Sequence, residues 1–239
     1  MNPFSILSTI LKSSILKKVV MALTGLALVG FLVTHLAGNL QLYMGAAKFN
    51  GYARFLEENP LVIIPAELGL LVIFVVHIFL AFKLTFENTA ARPHAYAERR
   101  TAGESSLSSR SMIWTGLVIL VFVVIHVWQF KYGTRPVTIL EADGSLWDLA
   151  ANTFRSPTWV AFYVICMLAM GAHLAHGIGS MFQSLGLRDA SGRPRFGGLS
   201  ALIGWGLALG FAALPLWVYL AKPQASPPSL SPALEGKNK

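Results

Sequence analysis

Five of the six histidines in this 239-residue chain fall inside long apolar stretches, where ionisable side chains are rare. An ionisable group at membrane depth is costly and usually functional. One buried histidine is often a hydrogen-bonded packing residue, but histidines in four successive apolar segments indicate a shared chemistry. The five are His35, His77, His126, His173 and His176, and the sixth, His94, falls in a polar loop.

The positions of these histidines within their segments predict two depths. With a helical rise of about 1.5 Å per residue, His35 and His126 lie roughly 25 and 22 Å from the side where their segments begin. The intervening segments run in the opposite direction, so His77 and His173 lie about 9 and 15 Å from that same side. We call His35 and His126 the outer pair, and His77 and His173 the inner pair.

Two imidazoles from facing helices at one depth can bind six-coordinate haem iron from above and below the porphyrin. Two such pairs across a membrane would form an electron path from one face to the other. His173 and His176 are one turn apart on nearly the same helix face. Spacing therefore leaves both residues open as the fourth ligand, with a slight preference for His173 from its depth.

The segments that position the histidines have the length of transmembrane helices. The chain is 54% hydrophobic and only 13% charged, whereas soluble domains carry about 25% charged residues. A helix needs about 20 apolar residues to cross a bilayer. The sequence predicts an all-α membrane bundle in one domain, 1–222, with short loops and a disordered Pro- and Ser-rich tail, 223–239. The predicted helices are at about 18–43, 61–86, 111–132, 157–182 and 199–221.

The net charge of +8 comes from basic residues at the ends of these helices and does not require a nucleic-acid partner. Lys and Arg concentrate before the first helix and after the second and fourth, whereas acidic residues concentrate in the other two loops. Because positive residues favour the cytoplasmic side, we expect a cytoplasmic N-terminus and an external C-terminus. The polar segment 87–110 would then be a docking surface for a soluble partner.

Three segments resemble one known family. They are SSILKKVVMALTGLALVGFLVTHLAGNLQLYMG at 13–45, HIFLAFKLTFENTAARPHAY at 77–96 and HLAHGIGSMFQSLGL at 173–187. They are similar to the cytochrome b subunit of succinate dehydrogenase/fumarate reductase, of the b558 type. That type is a single polypeptide with five helices and two haems b. The resemblance covers about the first 190 residues in order and spacing.

The resemblance implies a role for each histidine. It assigns His35 and His126 to the outer haem, and His77 and His173 to the inner haem. In the family the fourth ligand precedes a glycine by four positions, and Gly177 selects His173 over His176. The implied partners are a flavoprotein with FAD and an iron–sulfur subunit, both on the cytoplasmic side of the inner (cytoplasmic) membrane. The chain would be the multi-pass, non-dehydrogenating subunit of that enzyme, without a dicarboxylate site.

The resemblance also implies a quinone substrate, for which menaquinone is the commoner choice. In the family an acidic residue near the outer haem can assist the quinone reaction, and a proton donor or acceptor is chemically required there. Glu57, Glu58 and Glu67 are the candidates at that level. The alternative is that Glu57 and Glu58 are solvated loop charges and that Glu67 interacts with a helix N-terminus.

Two other functions are compatible with the pattern. One is the di-haem cytochrome b anchor of another quinone-linked dehydrogenase, of the formate dehydrogenase or hydrogenase type. The other is a haem-free transporter or membrane scaffold, since transporters often contain internal repeats. His35 and His77 are 42 residues apart and His126 and His173 are 47 apart, which is a faint two-fold pattern.

Overall fold

A computed structural model describes residues 12–90, 107–135, 144–187 and 197–223, with side chains from 111 onward in the second range. Every regular element in these ranges is helical. The longer helices are α1 (Ser14–Asn39), α3 (Pro60–Ala90), α4 (Leu107–Lys131), α6 (Pro157–Ser184) and α7 (Gly197–Ala221). Each contains a segment long and apolar enough to cross a membrane. Over the described residues, the prediction of an all-α bundle with five helices long and apolar enough to cross a membrane is confirmed.

Helix boundaries follow local capping chemistry. The Ser13 hydroxyl accepts a hydrogen bond from Leu16 N at 3.3 Å and caps α1. Helix α6 starts with Pro157, which has no N–H and therefore loses nothing in the first turn. Helix α3 ends at Ala90, four residues after its predicted end, and helix α4 begins at Leu107, four residues before its predicted start. The rest of the predicted docking segment, at 91–106, and the tail at 224–239 lie outside the described residues.

Among the described helices, α6 and α7 pack against each other most extensively. A β carbon on Gly204 would lie 2.5 Å from Ala175 N, and one on Gly171 would lie 2.6 Å from Trp205 Cε3. Glycine therefore lets the two backbones approach, as small residues do in membrane helix pairs. Helix α4 packs on α6, and α1 packs on both α3 and α6.

Two short helices that the sequence did not predict lie between the long ones. A 3-10 turn (Leu40–Met44) leads from α1 into α2 (Ala46–Glu57), and α5 (Leu146–Phe154) precedes α6. Asn50 joins them, because it donates to Ser145 Oγ at 3.0 Å and accepts from Trp147 N at 2.9 Å. These helices cover the end of the bundle where α1 ends, instead of forming open loops.

An ion-pair cluster links α1 to α3 at the opposite end of the bundle. Lys17 pairs with Glu87, which also pairs with Lys83 at 3.2 Å. The Lys17 side chain is only 4% exposed. A buried ammonium needs such a partner, so the pair fixes how the start of α1 meets the end of α3.

Candidate metal-binding histidines of the bundle

The two rings of the outer pair lie next to each other in an edge-on arrangement. His35 of α1 and His126 of α4 have ring centroids 5.9 Å apart, with their planes at 80°. Imidazole–metal bonds are about 2 Å long, which puts the centroids of two imidazoles on opposite sides of one metal roughly 6 Å apart. The separation of the outer pair therefore fits a shared metal.

Aromatic side chains surround the outer pair. Phe31 stacks on His35 at 5.2 Å, and Phe211 of α7 lies 5.7 Å from the same ring. Phe122 stacks on His126 at 5.4 Å, and Phe130 lies 5.3 Å away. These rings make the surroundings of the pair apolar.

A hydrogen-bond chain orients His126. The Tyr163 hydroxyl donates to Gln129 Oε1 at 2.8 Å and lies 3.2 Å from His126 Nδ1. Because the hydroxyl proton of Tyr163 is donated to Gln129, the tyrosine oxygen accepts a hydrogen bond from Nδ1–H of His126. That tautomer leaves Nε2 of His126 with a free lone pair.

The inner pair meets two threonines. Thr24 Oγ1 of α1 lies 3.1 Å from His77 Nδ1 of α3. Thr115 Oγ1 of α4 lies 3.1 Å from His173 Nδ1 of α6. In the described part of the chain no aromatic ring contact joins His77 to His173, and each ring has a threonine hydroxyl at Nδ1. Sequence reasoning did not identify Thr24, Thr115 or Tyr163.

The histidine rings suit haem iron better than a free metal ion. Among the described residues, no group of three or more His, Cys, Asp or Glu side chains could hold an ion. Bis-histidine haem iron needs only two protein ligands, with the macrocycle supplying the others. Metal-bound histidine usually donates its other ring N–H to a neighbouring acceptor. His77, His126 and His173 all have an acceptor at Nδ1.

Comparison with known proteins finds a relative in Bacillus subtilis. The chain is 28% identical over 172 residues to the succinate dehydrogenase cytochrome b558 subunit of Bacillus subtilis (strain 168). The match covers 70% of this chain and 77% of that protein. It confirms the resemblance to the b558 family. No family model matches the chain, and no solved structure gives a significant match.

The two candidates for the fourth ligand, His173 and His176, have different surroundings. Both lie on α6, three residues apart. His173 has the Thr115 hydroxyl at Nδ1, whereas no hydrogen bond to the His176 ring occurs among the described residues. Gly177 lies beside α4, since a β carbon on it would be 3.8 Å from Met112 Cε. In these surroundings His173 has a fixed ring orientation.

The three candidate carboxylates lie toward the outer end of the bundle and apart from the outer pair. Glu57 pairs with Arg135 at 2.6 Å, and Glu67 pairs with Lys131. Glu58 is exposed where α2 ends. In the described ranges none of the three hydrogen-bonds to His35 or His126.

Glu57 borders a small polar cleft, together with Asn50, Arg54 and Arg135.

Proposed function

We propose that this chain is the membrane-anchor cytochrome b of a succinate:quinone oxidoreductase or fumarate reductase. It would pass electrons between an iron–sulfur subunit and membrane quinone through two bis-histidine haems b. The observation that carries the proposal is the outer pair, whose ring centroids lie 5.9 Å apart in an aromatic environment. Haem iron supplies reversible one-electron transfer when bound.

The chain's own residues would hold each haem by the same chemistry. His35 and His126 would bind the outer haem, and His77 and His173 the inner haem. Hydroxyl acceptors at Nδ1 of three of these four rings orient them and leave Nε2 for iron. The apolar helices would exclude water and counter-ions from the path between the two pairs.

The Bacillus subtilis relative, a succinate dehydrogenase subunit by name, supports the choice of enzyme. We propose the corresponding partners, a flavoprotein with FAD and an iron–sulfur subunit, on the cytoplasmic side of the inner (cytoplasmic) membrane. The N-terminus would face these partners. The dicarboxylate would react on the flavoprotein, so this chain would carry only electron transfer and the quinone reaction.

The quinone, for which we propose menaquinone, would react near the outer haem. Glu57, Glu58 and Glu67 remain the candidate acids there, because all three lie near the end of the bundle that the outer pair approaches. Glu57 is the one of the three that lines a polar cleft. A carboxylate in such a cleft could take up or release the protons that quinone chemistry requires.

The direct test is the reduced-minus-oxidised absorption spectrum of the protein purified with its natural partners from membranes. We expect b-type bands and about two haems per chain, as two bis-histidine sites require. Covalent flavin should copurify with the chain. A colourless pure protein would contradict the haem proposal, and a molybdenum or nickel subunit in place of the flavoprotein would reassign the enzyme.

Substitution of Tyr163 by phenylalanine tests how the outer haem is held. The change removes the acceptor of His126 Nδ1–H but keeps the aromatic packing against Phe122 and Phe154. We expect a selective upward shift of the outer haem's midpoint potential, because a less basic imidazole stabilises Fe(III) less. A redox titration followed by absorbance measures both haems. A shift confined to the inner haem would contradict the pairing of His126 with the outer site.

A further inference from the structure

A short sequence pattern occurs once in each half of the bundle. A Thr-Gly dipeptide at 24–25 precedes His35, and a Thr-Gly dipeptide at 115–116 precedes His126. In both halves the threonine is eleven residues before the histidine. Eleven residues are three helical turns with almost no remainder, so threonine and histidine share a helix face about 16 Å apart.

Each threonine contacts the inner-pair histidine of its own half. In the first half α1 carries Thr24, which meets His77 of α3, and in the second half α4 carries Thr115, which meets His173 of α6. The two Oγ1–Nδ1 distances are both 3.1 Å. The halves therefore repeat the same arrangement, in which one helix supplies an outer-pair histidine and a hydroxyl for the inner pair.

The direction of the two hydroxyl protons is set by the threonines' own helices. Thr24 Oγ1 donates to carbonyl oxygens one turn earlier, with Val20 O at 2.9 Å and Met21 O at 3.0 Å. Thr115 Oγ1 does the same toward Ser111 O and Met112 O, both at 3.1 Å. Such back-bonding is common for threonine in helices.

This use of the proton fixes the tautomer of both inner-pair imidazoles. A hydroxyl that donates to a carbonyl presents its lone pairs to the histidine, so Nδ1 must carry the hydrogen. Nε2 of each ring then keeps its lone pair. A neutral histidine held in this way is a ready ligand for a metal.

The edge of each inner-pair imidazole lies beside the glycine that follows the threonine. A β carbon on Gly25 would be 3.5 Å from His77 Cε1, and one on Gly116 would be 3.4 Å from His173 Cε1. Both distances correspond to van der Waals contact. The dipeptide thus provides a hydrogen-bond acceptor at Nδ1 and, next to it, a small residue beside the ring edge.

We propose that Thr24 and Thr115 are positioning residues that hold the two inner-pair imidazoles through Nδ1–H and set the potential of the inner haem. The inference rests on the proposed function, because it requires a haem bound by His77 and His173. An acceptor at Nδ1 makes Nε2 more basic, which stabilises Fe(III) and lowers the potential. The two threonines would act on the two protein ligands of one iron, so both should act in the same direction.

The test compares Thr24→Val, Thr115→Val and the double variant in the complete membrane complex. Valine keeps the shape of threonine and removes the hydroxyl. Thr24→Ser restores the hydroxyl. Thr85→Val is the matched control, because Thr85 of α3 donates to Ala81 O at 2.7 Å in the same way but is exposed. The readouts are the midpoint potentials of both haems and the low-spin EPR signal of the inner haem.

We expect each valine variant to raise the inner potential and shift its EPR signal, with the outer haem unchanged. A tenfold change in the Fe(III)/Fe(II) equilibrium, about 59 mV for one electron, is the expected scale. The double variant should shift further, and Thr24→Ser and Thr85→Val should resemble the parent. Loss of the inner haem alone from Thr24→Val, reversed in Thr24→Ser, also supports the proposal.

The proposal is overturned if both potentials stay unchanged in the double variant, or if Thr85→Val shifts the inner haem equally. Loss of both haems from Thr24→Val and Thr24→Ser alike would indicate a general packing role and would also overturn it. A parent protein without haem would instead contradict the proposed function. The two failures are therefore distinguishable.

Discussion

Replacement of His173 by leucine should lower the haem content of the purified protein from about two to about one per chain. Leucine is close to histidine in size and apolar, so it removes the iron-binding nitrogen while leaving α6 intact. We expect His77→Leu to have the same effect, because the two residues would bind opposite sides of the same inner haem. Pyridine haemochrome analysis gives the haem count, and a redox titration shows which potential is missing.

His176→Leu is the matched control for this experiment. It makes the same substitution three residues later on α6, at a ring for which the described residues provide no hydrogen-bond partner. The His176 variant should keep both haems. If His173→Leu kept two haems while His176→Leu lost one, His176 would be the fourth ligand and the role of Thr115 would fail with it.

The long helices could be predicted because bilayer crossing imposes a length and a composition that are readable along the chain. The short helices could not be recognised by that criterion. Helix α2 mixes Lys, Asn, Arg and aromatic residues, and its Asn50 joins it to α5 through two hydrogen bonds. A local signal did exist for α5, because Ser145 caps it and Asp148 stands three residues later.

The candidate ligands could be proposed from sequence because histidine is rare at membrane depth and helical rise converts position into depth. Their hydrogen-bond partners could not. Thr24 is 53 residues from His77 in the chain. Their contact therefore becomes apparent only when α1 is seen to pack on α3. The same holds for Tyr163, which reads as an ordinary aromatic residue until α6 packs on α4.

The packing of α7 on α6 depends on a glycine. At Gly204 a β carbon would lie 2.5 Å from Ala175 N, 2.9 Å from its Cα and 3.0 Å from Leu174 C. All three atoms belong to the backbone of α6, which cannot move aside as a flexible side chain can. An alanine at this position must therefore push the two helices apart. Leu207 and Ala208 of α7, which are buried, would lose contacts with α6.

Gly204→Ala should therefore destabilise the protein by about 1–3 kcal/mol, as overpacking of a well-packed interior typically does. Gly206→Ala is the control, because a β carbon there meets nothing within 4 Å and the position is exposed on the same helix. Both substitutions gain about 1 kcal/mol of helix propensity, because alanine is a better helix former than glycine. The difference in stability between the two variants therefore measures the effect of the contact with α6. Thermal midpoints measured by size-exclusion chromatography in detergent should fall for Gly204→Ala and hold or rise for Gly206→Ala. Equal thermal midpoints for the two variants would contradict close packing of Gly204 against the backbone of α6.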